Sequence, residues 1–369
     1  MNNVLESLAQ LFGRASRKPR KNELSPAAQK MYFHKKGEKV TKAQLIALHD
    51  EHHKNSKNKW RKRRWLTLIA INLLFVVSFS LDIQLLEGAL TASRFMGFHM
   101  ADLNSALQVM LAHKTVLINL LIGIVTVFIM WIILGGRTFC SWVCPYHLVA
   151  EWAETLHLWL AKRGWAKNYT FHRGVRTVFY IIFALLAIVT GYTVFEFISP
   201  TGILSRAIIY GPTIALVWVA LLLLFEIFLS RRAWCRYVCP IGITYGIVGV
   251  LSPLRVTYDM TDCKHEGDCR AVCLVPHVLD LTIKNRSTDV EVALGADCTR
   301  CGLCVDACPT SSLNFEFKGL TRKPVKDPSL ENRPLMPDSN ESLVGKEPSA
   351  EPSAIKEQEQ EQSSEQQSK

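Results

Sequence analysis

The sequence predicts an α-helical membrane protein, a four-helix transmembrane bundle of two helix-pair repeats followed by a small C-terminal α+β module. Three observations predict this fold class. Four long runs are apolar and almost uncharged, a C-x3-C-P motif follows the second and the fourth run, and seven more cysteines crowd into residues 263–308. The 369 residues thus divide into a basic cytoplasmic arm (1–64), a membrane domain (65–254), a cysteine-rich domain (255–318) and a polar tail (319–369).

Each apolar run is long enough, or nearly so, to cross a bilayer. Residues 66–81, 116–136 and 177–195 contain no charged side chain, and 214–230 is interrupted only by Glu226. A helix needs about 20 apolar residues to span the hydrocarbon core. Soluble proteins rarely bury four such runs with basic flanks. We therefore expect four membrane spans.

Basic residues place both chain ends on the cytoplasmic side. Five of them directly precede the first run: Lys59, Arg61, Lys62, Arg63 and Arg64. More follow the second and fourth runs, whereas the predicted outer loops hold few. Because positive charge is retained in the cytoplasm, we expect a multi-pass inner-membrane protein with both termini and all eleven cysteines inside.

The net charge of +11 is unevenly distributed. Residues 1–64 hold seventeen Lys and Arg against five Asp and Glu, whereas 321–369 hold seven against ten. The basic arm adjoins the first span, so its charge fits a membrane surface and we expect no nucleic-acid partner. The tail is rich in Glu, Gln, Ser and Pro and lacks aromatic residues, which predicts disorder.

A cysteine run near the C-terminus has the spacing of a bacterial ferredoxin. Cys298, Cys301 and Cys304 are followed by Cys308 and Pro309. In such a run the first three thiolates bind one [4Fe–4S] cluster and the fourth binds the neighbouring cluster. A zinc site built from two C-x2-C pairs is the alternative, although the Cys-Pro ending favours iron and sulfide. The run predicts a two-cluster bacterial ferredoxin-like module.

A second, incomplete run lies upstream. Cys263, Cys269 and Cys273 occupy the first, third and fourth positions of the same template, and Glu266 stands at the second. We therefore expect one complete ligand set, which is Cys273, Cys298, Cys301 and Cys304. The incomplete set is Cys263, Cys269 and Cys308. Four alternatives stay possible at its fourth corner: Glu266 as a ligand, an unoccupied position, a [3Fe–4S] cluster, or loss of the cluster. A carboxylate binds iron more weakly than a thiolate.

The four other cysteines form an internal repeat. Cys140 and Cys144 follow the second apolar run, and Cys235 and Cys239 follow the fourth, each pair as C-x3-C-P after an aromatic residue. Positions i and i+4 share one face of a helix, so each pair can point at one target. The favoured target is a third [4Fe–4S] cluster. Thiol redox chemistry, transient metal binding and plain packing are the alternatives.

Glu226 lies inside the fourth apolar run. A carboxylate at that depth costs free energy unless it is paired or hydrated. Glu226 is therefore a candidate for proton transfer, with an interhelical pair or a position near the helix end as the alternative.

Together these features resemble the NapH family of membrane-bound, ferredoxin-type proteins. The resemblance covers roughly residues 60–318 and includes Gly136-Arg-Thr-Phe-Cys-Ser-Trp-Val-Cys-Pro145 and Pro276-His-Val-Leu279. The sequence departs from the family pattern at Glu266 and Leu274. This departure changes the ligand pattern of one of the two ferredoxin-type clusters. The layout is also similar to MauN and to the FixG/CcoG proteins.

The NapH resemblance implies a quinol dehydrogenase component of a periplasmic nitrate reductase system. It implies quinol from the membrane pool as substrate and a NapG-like iron–sulfur partner, and we also expect a c-type cytochrome partner. We place the quinol near the cytoplasmic ends of the second and fourth spans, close to Trp142 and Tyr237. The implied acceptor is periplasmic, whereas the clusters are predicted inside. MauN and CcoG imply the alternative, a membrane electron donor for the maturation of a metalloenzyme or cofactor.

Overall fold

Helices dominate the computed structural model. It describes residues 2–37, 58–82, 86–90, 92–95, 98–115 and 117–318, with the isolated residues 41, 44, 46, 47 and 50. The polar tail lies outside these described residues, so its disorder stays a prediction.

The N-terminal and membrane regions contain twelve described helices and one small antiparallel sheet. The helices are α1 (Asn2–Leu11), α2 (Pro26–Gly37), α3 (Lys59–Ser80), α4 (Leu103–His113), α5 (Ile118–Leu134), α6 (Thr138–Trp142), α7 (Pro145–Lys162), α8 (Val175–Thr190), α9 (Val194–Ile198), α10 (Pro200–Tyr210), α11 (Leu216–Phe228) and α12 (Ile241–Leu251). The sheet between α3 and α4 consists of β1 (Leu86–Ala89), β2 (Ala92–Phe95) and β3 (Phe98–Ala101).

The four apolar runs of the sequence form the helices α3, α5, α8 and α11. Within the described part of the chain, only α3 is both long and apolar enough to cross a membrane by itself. Its 22 residues measure about 33 Å at 1.5 Å per residue. The other three helices are apolar but have 17, 16 and 13 residues. The number of membrane spans therefore stays a prediction.

Two further helices, α4 and α10, lie where the sequence predicts outer loops, and we call them the half-helices. Asp102 caps α4 by accepting hydrogen bonds from two backbone N–H groups of its first turn. The Tyr245 hydroxyl donates to the other oxygen of this carboxylate at 2.8 Å. At the start of α10, Thr201 Oγ1 lies 3.3 Å from Cys144 Sγ. The N-terminal end of α10 thus reaches a C-x3-C-P motif and that of α4 reaches α12, so these segments are not simple outer loops.

Contacts between the helices repeat across the two halves of the membrane region. The half-helix α4 packs against α8 and α12, and the half-helix α10 correspondingly packs against α3 and α7. Likewise, α5 packs against α12 as α11 packs against α7. This interleaving of α3–α7 with α8–α12 is the pattern that a pseudo-two-fold repeat of the sequence produces.

The C-terminal module is built on a three-stranded antiparallel sheet. Its central strand β4 (Leu254–Asp259) pairs with β5 (Glu291–Ala293) and β6 (Leu313–Phe317). Two short helices, α13 (Asp268–Ala271) and α14 (Leu303–Asp306), carry cysteines of the two runs. The module is thus a small α+β unit, as the sequence predicts.

The first part of the N-terminal arm folds against this module, which sequence analysis did not predict. Met31 of α2 is buried in the apolar core of the module, and Leu11 of α1 is buried where α1 packs on α12. Lys35 donates a hydrogen bond to the backbone carbonyl of Cys263 at 2.6 Å. The arm therefore contacts both α12 and the cysteine-rich module.

The module in turn caps the first apolar helix. Asp306 Oδ2 accepts hydrogen bonds from the backbone N–H groups of Trp60 (2.8 Å) and Arg61 (3.2 Å), while Asn58 makes no side-chain cap. Loss of a capping side chain costs about 1 kcal/mol. We expect Asp306→Ala to lower the free energy of unfolding by about this amount, and Asp306→Asn to retain most of it, in thermal unfolding of the cluster-loaded protein. An Asp306→Ala protein as stable as the unmodified one would contradict this capping role.

Candidate iron–sulfur sites

The four cysteines of the two C-x3-C-P motifs line one cavity of about 410 Å³, which we call the C-x3-C-P cavity. Cys140 lies in α6, and Cys235 lies in a π-helical turn, Trp234–Val238. Cys144 and Cys239 are followed by prolines at the starts of α7 and α12, where the fixed φ of proline suits a helix start. The structure thus brings together all four cysteines of the predicted group.

A sharp turn after α5 directs the first motif to this cavity. Gly135 and Gly136 both have positive φ, of +112° and +64°. A Cβ atom on Gly136 would collide with the backbone of Gly249 and Tyr245 in α12. Glycine is therefore required for this close approach of the two chain segments.

The chemistry of the C-x3-C-P cavity fits an iron–sulfur core. Burial raises the pKa of Cys144 to about 11 and that of Cys239 to about 12, and neighbouring thiols add to the effect. Such thiols stay protonated near neutral pH unless a metal centre supplies the opposing charge. Among the residues that the structure describes, no three His, Cys, Asp or Glu side chains are close enough to hold a single metal ion. The four soft thiols instead surround a space, as the four irons of a [4Fe–4S] core require.

The complete ligand set of the module is grouped as its spacing predicts. Cys298, Cys301 and Cys304 are buried. The pKa of Cys273 is raised well above its usual value by burial and by the thiols of Cys301 and Cys298. Cys273 therefore lies with the three cysteines of the downstream run.

The incomplete set lines a separate cavity of about 310 Å³. Its lining includes Cys263, Cys269, Cys308 and Glu266. Burial raises the pKa of Cys269 to about 11, and the thiols of Cys263 and Cys308 contribute. Glu266 thus shares one cavity with the three thiols, and this donor set also fits an iron–sulfur core with one non-thiolate corner.

A buried carboxylate connects the module to the C-x3-C-P cavity. Asp297 is 2% exposed and forms ion pairs with Arg137 and with Arg176 at 2.9 Å, while its Oδ2 lies 2.7 Å from His277 Nε2. Burial by itself would raise the pKa of Asp297, but Arg137 and Arg176 hold it well below its usual value. Because Asp297 directly precedes Cys298, these ion pairs tie a cysteine of the module to residues that line the cavity.

The two aromatic residues proposed for quinol lie in different places. Tyr237 lines the C-x3-C-P cavity and packs edge-on against Phe171, with ring centroids 5.4 Å apart. Trp142 instead donates its indole N–H to the carbonyl oxygen of Arg300 in the module, at 3.1 Å. It is not among the residues described as lining the cavity. The structure thus brings Tyr237, and not Trp142, to the cysteines.

Glu226 is fixed beside the second motif. It is 2% exposed, and its Oε1 accepts a hydrogen bond from the backbone N–H of Trp234 at 2.9 Å. Tyr146, two residues after Cys144, lies next to this carboxylate. Among the described residues, neither Glu226 Oε2 nor the Tyr146 hydroxyl has a hydrogen-bond partner of good geometry. The carboxylate therefore has one oxygen uncommitted within the protein interior.

Sequence analysis missed the charged residues around the cysteines. Arg137 and Arg232 line the C-x3-C-P cavity, and each stands three residues before the first cysteine of its motif. The duplicated spacing R-x2-C-x3-C-P could have identified them. Asp102 and its partner Tyr245 had no such signal, because Asp102 belongs to a segment that hydropathy predicts to lie outside.

Two family models match the chain at the cysteines. A model described as a 4Fe-4S binding domain matches residues 116–164 and 210–256, each around one C-x3-C-P motif. Another 4Fe-4S binding domain model matches residues 296–313, in the downstream run of the module. Both cysteine-rich parts of the chain are therefore of iron–sulfur type.

Curated relatives match most of the chain. It is 29% identical over 260 residues to the ferredoxin-type protein NapH of Escherichia coli, a match that covers 68% of this chain and 89% of that protein. It is 30% identical over 270 residues to the methylamine utilization ferredoxin-type protein MauN of Methylorubrum extorquens, covering 72% and 92% respectively. No solved structure gives a significant match. With its iron–sulfur domains and these relatives, the chain belongs to the family of ferredoxin-type electron-transport proteins that includes NapH and MauN.

Proposed function

We propose that this protein is a membrane-embedded iron–sulfur electron carrier that oxidises quinol and passes electrons towards a periplasmic nitrate reductase pathway. The observation that carries the proposal is the C-x3-C-P cavity. Four cysteines converge there from the ends of two apolar helices, and residues of the ferredoxin-like module complete its wall. A redox site in this position suits transfer between a lipid-soluble donor and a protein acceptor.

The membrane setting is supported by the exposed surface of the apolar helices. Ile118 is 74% exposed at the start of α5, Val189 is 81% exposed in α8, and Leu66 is 71% exposed in α3. Apolar surface of this extent is characteristic of contact with lipid. We propose four spans in the inner membrane, with both termini in the cytoplasm because basic residues cluster beside the first span.

We propose three clusters, one for each cysteine group. Cys140, Cys144, Cys235 and Cys239 would hold the first as [4Fe–4S], and the complete set of the module would hold the second. The incomplete set, with Glu266 at its fourth corner, would hold the third as [4Fe–4S] or [3Fe–4S]. When bound, such clusters supply one-electron transfer.

The cysteine groups are arranged as neighbours. Leu274 directly follows Cys273, Thr299 directly follows Cys298, and both line the C-x3-C-P cavity. On the other side, Cys269 of the incomplete set is close enough to influence the thiol of Cys273. The complete set thus has the C-x3-C-P group on one side and the incomplete set on the other. This order supports a relay whose membrane end is the C-x3-C-P group.

We place the quinol at the membrane side of the C-x3-C-P cavity, near Tyr237. Oxidation of a quinol releases two electrons and two protons, so the site needs a proton acceptor. Glu226 is not among the described lining residues, so one proton would reach its uncommitted oxygen through the Tyr146 hydroxyl, which lines the cavity, and the second proton would pass to water. Trp142 is hydrogen-bonded to the module, so we assign it to the interface between the module and the helices and not to the quinol site.

The position of the half-helix α10 supports an electron acceptor on the periplasmic side. The 11 residues of α10 measure about 17 Å at 1.5 Å per residue and lead from Thr201, beside Cys144, to the predicted outer face. Outer-side segments therefore reach the cysteines directly. This supports an acceptor on the periplasmic side, which we propose to be a NapG-like iron–sulfur protein, with a c-type cytochrome as a further partner.

The similarity to MauN favours a second candidate function. At 30% identity over 270 residues it is as extensive as the similarity to NapH, at 29% over 260 residues, and the name of MauN refers to methylamine utilization. In this alternative the same iron–sulfur relay donates electrons during maturation of a metalloenzyme or cofactor, and the donor to the relay is a low-potential protein.

Anaerobic EPR of the purified full chain, with iron and sulfide analysis, tests the proposal. We expect about 12 iron atoms per chain, or about 11 if the incomplete set holds a [3Fe–4S] cluster, and rapid reduction of the clusters by a reduced quinol analogue. Glu226→Gln should slow this reduction and leave the iron content and the reduction by dithionite unchanged. If the clusters stay oxidised with quinol but are reduced by a low-potential ferredoxin, the quinol oxidation proposal is wrong and the maturation function is supported.

A further inference from the structure

Two buried arginines occupy equivalent positions around the C-x3-C-P cavity. Arg137 and Arg232 each stand three residues before the first cysteine of a motif, and they are 3% and 2% exposed. Arg137 lies beside the thiol of Cys140, and Arg232 lies beside that of Cys235. The internal repeat thus places one guanidinium next to the first cysteine of each motif.

Each arginine forms an ion pair with a carboxylate. Arg137 pairs with Asp297 of the module, and Arg232 pairs with Glu154 of α7. The two acids belong to unrelated parts of the chain, yet they serve equivalent arginines. A buried guanidinium needs such a partner to offset its loss of hydration, and the pairing fixes the direction in which the remaining N–H groups point.

Both arginines have donors left over. Among the described residues, Arg137 Nε and Arg232 Nη2 are buried and have no hydrogen-bond acceptor. Buried N–H groups are nearly always paired in folded proteins, and a guanidinium carries five donors in a rigid plane. Because both side chains line the cavity, the acceptors they lack are the sulfur atoms of a group bound there.

We propose that Arg137 and Arg232 are matched donors to the sulfur atoms of the C-x3-C-P cluster and stabilise its reduced form. The inference rests on the proposed function, since it requires a cluster in this cavity. Uptake of one electron makes the cluster more negative, and donor N–H groups and positive charge next to its sulfur atoms favour that state. The two arginines thereby raise the reduction potential of this cluster, which makes it a better acceptor for electrons from quinol.

An EPR-monitored redox titration of the full chain in detergent tests this assignment. The signal of the C-x3-C-P cluster is identified as the one that Cys235→Ser removes. Arg232→Lys and Arg137→Lys keep the positive charge and the ion pair but lose the planar set of donors. We expect both variants to shift the midpoint potential of this signal to more negative values and to leave the signals of the module unchanged.

Arg231→Lys is the matched control. Arg231 binds the same Glu154 carboxylate at 2.6 Å but is not among the residues described as lining the cavity. We expect no shift in this variant. The same shift in Arg231→Lys as in Arg232→Lys would overturn the assignment, because it would trace the effect to Glu154.

Two further outcomes separate this inference from the proposed function. If Cys235→Ser removes a signal whose potential is the same in Arg137→Lys, Arg232→Lys and the unmodified protein, the arginine assignment fails and the three-cluster proposal stands. If Cys235→Ser leaves every signal unchanged in both shape and midpoint potential, Cys235 binds no cluster and the three-cluster proposal fails together with the inference that depends on it.

Discussion

Replacing Cys140 by serine should remove between about one and about four iron atoms per chain, because three thiolates can still hold a [3Fe–4S] core and loss of the whole [4Fe–4S] cluster removes four. Serine offers iron a harder oxygen ligand than the soft thiolate, in a cavity whose other three ligands are preserved. The clusters of the module should stay loaded because their cysteines form separate groups. Reduction by quinol should nevertheless be lost, since the C-x3-C-P group is the one next to the membrane helices. Iron and sulfide analysis with EPR measures both effects.

Thr138→Ala is the control for this substitution. Thr138 lies in the same short helix, its hydroxyl donates to the carbonyl oxygen of Leu134 at 2.7 Å, and it is not among the described cavity-lining residues. It should keep the full iron content. An unchanged iron content together with an unchanged EPR spectrum in Cys140→Ser would mean that Cys140 binds no cluster and would favour thiol chemistry or packing for the four cysteines.

Asp297→Ala should lower the free energy of unfolding by about 3–5 kcal/mol, the cost of breaking a buried ion pair from one side. The substitution leaves Arg137 and Arg176 buried without their shared carboxylate. It also removes the link between the C-x3-C-P cavity and the loop of Cys298, so iron loading of the complete set should fall as well. Thermal unfolding and iron analysis of the same preparation measure both effects.

Asp289→Ala provides the comparison. Asp289 belongs to the same module and accepts a hydrogen bond from the Ser25 hydroxyl at 2.7 Å on the exposed surface. Its loss should cost about 1 kcal/mol or less. If Asp297→Ala destabilised the protein no more than Asp289→Ala, the ion pairs of Asp297 would not hold the module in place.

The cysteine groups could be predicted from the sequence because their geometry is local. Cys298, Cys301 and Cys304 lie within one short stretch of chain that ends in α14, so their spacing determines which sulfur atoms can meet. The convergence of Cys140 with Cys235 is not local, yet the repeat predicts it, since equivalent residues of two pseudo-symmetric halves lie at the same depth. The cluster assignments themselves stay predictions, as does the role of Glu266.

The half-helices and the packing of the arm could not be predicted in the same way. Hydropathy detects helices that face lipid, whereas α4 is held by contacts with α8 and α12 and by the hydrogen bond between Asp102 and Tyr245. The arm contains seventeen basic residues, so its composition gives no indication that a few of its apolar residues are buried. Only the folded structure shows that Leu11 is buried against α12 and Met31 in the module.

The packing of the arm on the module also determines the order in which the protein can be completed. Residues 2–37 are made more than two hundred residues before the module that buries Met31. At ordinary rates of translation the delay is on the order of tens of seconds. With the topology that we propose, the basic arm can rest on the anionic inner leaflet during this time. The arm therefore completes its packing only after the module has been made, and its docking marks a chain whose cysteine-rich domain has been synthesised and folded.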